Sequence, residues 1–260
     1  MSSPVLVNEL QDGVRRLTLN RPERRNALNS ELVEALTQAF REVRHDPHTR
    51  VVVLSGAGEK AFCAGADLDP AAAALGPFGL HQSRAGFIAL LTAMRDCGRP
   101  IIARLAGPAV AGGLGLVAAA DLAIAAEDIE LSTPEVKRGL FPMMIMALIA
   151  RNVGRKHALE LVLTGAAISA TRAAEIGLIN RAVPRSELDA TVDALANDLA
   201  SLSPIVLQLG RQAFYTMEDL PLDQALQYLC GQLTVNTLTE DASEGLMAFV
   251  QKRKPEWSGK

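Results

Sequence analysis

One glycine-rich stretch constrains the fold of this chain more than any other. From Leu105 to Leu116, a small-residue loop (107–113) runs directly into an apolar run (114–120). The apolar run predicts a buried helix, whose first N–H groups have no partner within the helix. Because glycine has no Cβ, another molecule is able to approach these N–H groups closely. The stretch therefore predicts a site for developing negative charge, as in an oxyanion hole.

Strand and helix patterns alternate on both sides of this stretch, which predicts an α/β fold with parallel strand pairing. Five apolar runs have the length and composition of strands: 14–20, 50–54, 101–105, 121–126 and 178–183. After residue 185 the pattern is helical throughout. We therefore expect an α/β core, residues 1–185, and a helical C-terminal region, residues 186–260.

Composition and charge exclude several classes of protein. Hydrophobic residues make up 49% of the 260 residues and charged residues 21%, which is typical of a chain with a sizeable core. The formal net charge of −3 gives no basic footprint for nucleic acid. The longest apolar run, 109–126, is rich in alanine and glycine and contains Asp121, which indicates buried core rather than a membrane span. With no secretory signal visible, we expect a cytoplasmic protein that binds neither nucleic acid nor membranes.

Three widely spaced cysteines favour a reducing compartment and predict neither a disulfide framework nor a zinc site. One of them, Cys63, lies in a second small-residue loop, Ala61 to Asp67, just after a strand. No motif-linked base accompanies Cys63. Its small neighbours therefore indicate a role for the backbone rather than for a nucleophilic thiol.

Glu135 allows two interpretations. The sequence Ser132-Thr-Pro-Glu135 matches the capping box, in which the carboxylate bonds back to the start of its own helix. The residues that follow, Val136 and 139–147, are mostly apolar. A carboxylate in such surroundings is suited to carry a proton, because desolvation raises its pKa and the helix dipole lowers it.

These segments together resemble the crotonase superfamily, the enoyl-CoA hydratase/isomerase family. The matching segments are, in chain order, Asn20–Pro22, Asn26–Asn29, Ala61–Leu68, Gly107–Leu116, Asp121, Pro134-Glu135, Leu163–Gly165, Ala173–Leu178, Glu244-Gly245, Phe249-Val250 and Lys252–Lys254. The resemblance implies a crotonase-like spiral of ββα units with a helical C-terminal trimerisation region. It also implies a homotrimer or a dimer of trimers.

The resemblance further implies an enzyme that acts on acyl-CoA thioesters without a metal or redox cofactor. By position, the N–H groups of Cys63 and Gly112 would stabilise a thioester enolate, and Glu135 would be the general base and acid. Two segments, 25–28 and 64–68, look like the binding sites for the CoA nucleotide, and Lys252 would reach a phosphate of CoA. The substrate-binding residues that we predict are Arg25, Ala27, Leu28, Ala64, Ala66, Asp67, Leu68, Ala109, Gly113, Pro134, Met143 and Lys252.

The chain departs from the family pattern in one catalytic position. Typical hydratases carry two glutamates that hold a water molecule, and the second of these falls at Gly115 in this chain. By the same resemblance, Met143 replaces a glycine whose backbone helps hold that water, although the N–H of Met143 itself survives. Losing a carboxylate and adding thioether bulk weakens water activation.

We therefore favour isomerisation of 3-enoyl thioesters, which needs one base, over hydration of 2-enoyl thioesters by a single glutamate. Another alternative is an acyl-CoA-binding subunit without activity. A mobile loop is expected at 70–80, which would line the acyl pocket together with the methionines of 143–146. Candidates for a second acid or base in or near this loop are Asp69, His81 and Arg84.

Overall fold

The computed structural model describes residues 5–67 and 76–260. Its strands are β1 (Leu6–Gln11), β2 (Val14–Leu19), β3 (Val51–Gly56), β4 (Ile101–Leu105), β5 (Ala109–Val110), β6 (Leu122–Ala126), β7 (Glu130–Ser132), β8 (Ile168–Ser169) and β9 (Arg181–Val183). Its α-helices are α1 (Ser30–His45), α2 (Gly76–Asp96), α3 (Gly112–Ala119), α4 (Met143–Asn152), α5 (Arg155–Thr164), α6 (Ala170–Glu175), α7 (Leu188–Ala200), α8 (Pro204–Met217), α9 (Leu222–Thr237) and α10 (Glu240–Gln251). Short 3₁₀ helices are Pro22–Arg24, Pro134–Arg138 and Arg185–Glu187.

The larger sheet has six strands in the order β1-β2-β3-β4-β6-β9. Strands β1 and β2 form an antiparallel hairpin, and every later neighbour pairs in parallel. The hairpin turns at Asp12 and Gly13, whose φ angles are 51° and 80°, because such a two-residue turn requires positive φ at both positions. The valines of β3 are buried, as expected for a strand covered on both faces. The predicted α/β architecture with parallel pairing is confirmed.

The smaller sheet, in the order β5-β7-β8, positions the candidate site. Strands β5 and β7 are parallel, and Val110 pairs with Ser132. Gly112, the first residue of α3, follows β5 closely, and Glu135 follows β7 in the same way. Because the carboxyl ends of adjacent parallel strands meet at one edge, both residues emerge on the same side of this sheet.

The helices cover the larger sheet, and their apolar faces set how they pack. Helix α1 is capped by Asn29, whose side chain accepts a hydrogen bond from the Leu32 N–H at 2.9 Å, as the sequence predicts. Helix α7 packs on the strands through its buried residues, including Leu188 and Val192. The division into residues 1–185 and 186–260 stays a prediction, with α7 attached to the strands of the core.

The segment before β4 differs from the expectation. We expected a loop at 70–80 and a helix over 86–94, and the structure has one helix, α2, from Gly76 to Asp96. Its second half has a buried face, which includes Phe87 and Leu90, whereas its first turns are mostly exposed. This exposure explains why apolar periodicity in the sequence shows only the second half. Residues 70–75 of the expected loop lie outside the described residues.

Candidate active site

Two loop segments, 25–28 and 63–67, lie side by side and are joined through the backbone. The Leu28 N–H donates to the Gly65 carbonyl oxygen at 2.8 Å, and the Asp67 N–H donates to the Leu28 carbonyl oxygen at 2.9 Å. This pairing resembles two strands of a parallel sheet. It fixes the path of the second small-residue loop without help from any ligand.

The segment 63–67 also packs against the glycine-rich stretch. The Val110 N–H donates to the Cys63 carbonyl oxygen at 2.9 Å. A Cβ on Gly113 would lie 2.3 Å from this same oxygen, so only glycine allows the loop and α3 to approach this closely. The small residues of the opening stretch therefore serve backbone packing as well as access for a ligand.

Two backbone N–H groups meet where these segments join. Gly112 begins α3, so its N–H has no acceptor within the helix. Among residues 5–67 and 76–260, no acceptor is recorded for the Ala66 N–H either. A Cβ on Gly112 would lie 3.8 Å from the Ala66 nitrogen, so the two groups are close neighbours. This pair has the arrangement of an oxyanion hole.

The structure does not support Cys63 as the donor that the sequence suggested. The Cys63 N–H faces the Pro108 carbonyl oxygen at 3.4 Å, and Cys63 is 0% exposed. Burial also raises the pKa of the Cys63 thiol to about 12, against a hydrogen bond from the Gly65 N–H, so the thiol is protonated. The backbone role of the loop is retained, but it passes from Cys63 to Ala66.

Glu135 lies in the 3₁₀ helix Pro134–Arg138, beyond the end of β7. No side-chain cap forms at the start of this helix. The Oε2 atom of Glu135 is buried and has no hydrogen-bond partner in the described part of the chain. Burial raises its pKa above 4.5, although the Glu135 N–H and the positive charge of Arg138 oppose the shift. The capping-box interpretation is therefore wrong, and this oxygen remains available for a proton.

An apolar wall lies one turn along α3 from Gly112. Of the atoms around a Cβ built on Gly115, Ile145 Cγ2 would be at 2.3 Å and Phe87 Cζ at 3.4 Å. Both side chains are buried. The position where the family pattern has a second carboxylate is thus filled by hydrocarbon from α4 and α2.

Met143 begins α4. It is 66% exposed, and its N–H donates to the Phe141 carbonyl oxygen at 2.8 Å. This N–H is therefore present, as expected, but it is engaged in a tight turn at the start of the helix. Hydrocarbon next to Gly115 comes from Ile145, two residues further on, rather than from Met143.

Most of the predicted site residues lie together on the joined segments and at the ends of β5 and β7. These residues are Arg25, Ala27, Leu28, Cys63, Ala64, Ala66, Asp67, Ala109, Gly112, Gly113, Pro134 and Glu135. Lys252 instead follows α10, which packs on α8 and α9, and its side chain is exposed. Leu68 and Asp69 lie outside the described residues, and His81 and Arg84 are exposed on α2.

Sequence reasoning missed two side chains that hold the loops. The Asn26 side chain, 0% exposed, donates to the carbonyl oxygens of Ala57 at 3.0 Å and Ala61 at 2.8 Å. Arg21 forms an ion pair with Asp67 at 2.8 Å, so this carboxylate anchors the loop instead of facing a substrate. No local pattern marks Asn26 as buried, because it follows the charged residues Glu23, Arg24 and Arg25.

Residues 5–67 and 76–260 lack two other features. They contain no group of three or more His, Cys, Asp and Glu side chains arranged to hold a metal ion. Within the same ranges, no helix has the length and hydrophobicity needed to cross a bilayer.

The chain is similar to known proteins over nearly its whole length. A family model described as enoyl-CoA hydratase/isomerase matches residues 9–260. The enoyl-CoA hydratase domain-containing protein 3, mitochondrial, of Rattus norvegicus is 36% identical over 250 residues, which are 95% of this chain and 82% of that protein.

Solved structures agree with this match. An enoyl-CoA hydratase of Mycobacterium smegmatis has a TM-score of 0.93 and 34% identity, covering 98% of this chain and 99% of that one. An enoyl-CoA hydratase of Bacillus anthracis has a TM-score of 0.94 and 32% identity, covering 98% of this chain and 100% of that one. The predicted crotonase-like fold is confirmed.

Proposed function

Because the chain belongs to the enoyl-CoA hydratase/isomerase family, we propose that it moves the double bond of a 3-enoyl-CoA thioester to the 2 position. Glu135 is the single acid/base group, and the N–H groups of Ala66 and Gly112 bind the thioester oxygen. The observation that carries this proposal is the buried Oε2 atom of Glu135, which has no partner among the described residues. Glu135 follows β7, and the Gly112 N–H follows the adjacent parallel strand β5.

The proposed reaction has two proton transfers through one carboxylate. The N–H groups of Ala66 and Gly112 donate to the thioester oxygen, which stabilises negative charge there. Glu135 takes a proton from C2, and the electron pair of the broken C–H bond delocalises onto that oxygen. The electrons return to form the C2=C3 bond as the former C3=C4 pair takes the proton from Glu135 at C4. A raised pKa suits a carboxyl group that both accepts and returns a proton near neutral pH.

The remaining roles are proposals of the same kind. The segments 25–28 and 64–68 hold the CoA nucleotide, Lys252 contacts a CoA phosphate, and no further cofactor takes part. Helices α9 and α10 expose large apolar side chains, among them Leu233 and Phe249, which supports assembly into a homotrimer or a dimer of trimers. We propose a cytoplasmic location.

Turnover of two substrates by the purified protein tests the reaction class. We expect fast conversion of trans-3-enoyl-CoA to trans-2-enoyl-CoA and slow addition of water to trans-2-enoyl-CoA. Product analysis by mass spectrometry separates them, since hydration adds the mass of water and isomerisation adds none. Fast hydration without isomerisation would overturn the proposal. Tight binding of both thioesters without turnover would instead favour an acyl-CoA-binding subunit.

Hydration of 2-enoyl-CoA is the second candidate function. It is supported by the two similar structures, which are both named enoyl-CoA hydratase. In this case Glu135 would remove a proton from water as the oxygen attacks C3, and then return that proton to C2. The mass analysis above distinguishes this candidate from isomerisation.

A further inference from the structure

The wall beside Gly115 is built from three helices that meet at one point. Gly115 lies on α3, Ile145 in the first turns of α4, and Phe87 on α2. The nearest atoms to a Cβ on Gly115 are carbons: Ile145 Cγ2 at 2.3 Å, Ile145 Cβ at 3.2 Å and Phe87 Cζ at 3.4 Å. Ile145 is 3% exposed and Phe87 is 8% exposed. The Ile145 side chain therefore occupies the volume that any side chain at position 115 would need.

Helix geometry relates this volume to the reacting atoms of the proposed function. Residues three apart on a helix lie on the same face, and at Gly112 this face lies next to the Ala66 nitrogen. One helical turn is about 5 Å long, which is similar to the separation between a thioester oxygen and C4, and C3 lies between these two atoms. A substrate whose oxygen binds the Gly112 N–H and whose chain runs along this face would therefore place C3 beside hydrocarbon.

A water molecule needs polar partners to occupy such a place. Buried waters make about three hydrogen bonds, and apolar cavities of similar size stay dry. Ile145 Cγ2 and Phe87 Cζ offer none. The proton path through Glu135, by contrast, needs no water at any step.

We propose that Ile145, supported by Phe87, is a specificity-determining residue that keeps water away from C3 and so favours proton transfer over hydration. This inference rests on the proposed function. In hydration, water would add as a hydroxyl group at C3 and a proton at C2. Removing the Ile145 methyl group that contacts Gly115 opens space for that water.

Two variants of Ile145 differ in the atom that matters. Ile145→Ala removes Cγ2, whereas Ile145→Val keeps Cγ2 and removes only the terminal methyl group. The readout is the rate of ¹⁸O incorporation at C3 when trans-2-enoyl-CoA is incubated in H₂¹⁸O. We expect the alanine variant to incorporate ¹⁸O about tenfold faster than the valine variant, in line with the effect of one or two methylenes in an apolar pocket. Isomerisation of trans-3-enoyl-CoA should change less than hydration in both variants.

A folded alanine variant that incorporates ¹⁸O no faster than the valine variant overturns the inference. If the alanine variant does not fold, Ile145→Thr replaces it, because threonine has the shape of valine and adds a hydroxyl group able to hold water. Equal ¹⁸O rates for the threonine and valine variants would then overturn the inference. Failure of the wild-type protein to isomerise contradicts the proposed function alone, since the ¹⁸O comparison does not depend on isomerisation.

Discussion

Two parts of the candidate site differ in chemistry. Beyond the end of β7, Glu135 presents a buried carboxylate oxygen without a partner among the described residues. One turn along α3 from Gly112, Gly115 carries no side chain, and Ile145 and Phe87 fill the space with carbon. Under the proposed function, the difference teaches that stabilisation of an enolate and handling of water are separate properties, and that only the first depends on backbone N–H groups.

Removing the proposed proton carrier, Glu135, should have the largest effect on the rate. We expect Glu135→Gln to lower kcat by about 10²–10⁴-fold, because the amide cannot take a proton from C2. The matched control is Glu130→Gln, an exposed glutamate on the neighbouring strand β7, which should keep the wild-type rate. Steady-state kinetics with trans-3-enoyl-CoA measures both. A glutamine variant close to the wild-type rate would remove Glu135 from the mechanism.

Disturbing the backbone that carries the two N–H groups should have the next largest effect. In Gly113→Ala, the added Cβ would lie 2.3 Å from the Cys63 carbonyl oxygen, so the loop that carries the Ala66 N–H must move. We expect kcat to fall by about 10²-fold, as on the loss of one oxyanion donor. Gly210→Ala is the control, because a Cβ there meets no atom within 4 Å. Equal kinetics for the two alanine variants would contradict the close approach.

Crowding the apolar wall at Gly115 should lower the stability of the protein. Gly115→Ala puts a Cβ 2.3 Å from Ile145 Cγ2, and we expect this overpacking to lower the free energy of unfolding by about 1–3 kcal/mol. Adding Ile145→Ala should restore part of this loss, so the two substitutions should be non-additive. Urea unfolding of the single and double variants measures the coupling. Strict additivity would show that the two residues do not touch.

The pH dependence of kcat/KM should show the smallest effect, and it tests whether Glu135 lies in apolar surroundings. Since burial raises the pKa of Glu135, kcat/KM should fall on the acid side with an apparent pKa above 4.5. The sign follows from the role of the carboxylate, which must be ionised to accept the C2 proton and is neutralised as the pH falls. A pH profile of the free enzyme tests this point. An acid limb at or below 4.5 would contradict the apolar surroundings of Glu135.

The sequence predicted the parts of the site that depend on neighbouring residues. The loop before α3 and the apolar surroundings of Glu135 follow from local composition, whereas the choice of Gly112 as a donor comes from the resemblance to the family. The choice between Cys63 and Ala66 follows from neither, because it depends on an acceptor far along the chain. Pro108 lies opposite Cys63 only in the folded protein.

The apolar wall shows the same limit. The methionine-rich run at 143–146 correctly indicates hydrocarbon near the site, but the start of α4 at Met143 decides which side chain faces Gly115. That start depends on the Phe141 carbonyl oxygen, which accepts the Met143 N–H. The residue at which α4 begins therefore decides that Ile145 faces Gly115, and no local sequence pattern predicts where the helix begins.

The donors of the proposed oxyanion hole, the N–H groups of Ala66 and Gly112, belong to the main chain, and this has a consequence for how such a protein changes over generations. A point mutation replaces a side chain and leaves every N–H in place, unless it introduces proline or moves the loop. Most point mutations therefore leave the hydrogen bonds to a thioester oxygen unchanged. The carboxylates and the apolar residues around it are not protected in this way. A lineage with this fold is therefore free to exchange one reaction for another while it keeps the ability to stabilise an enolate.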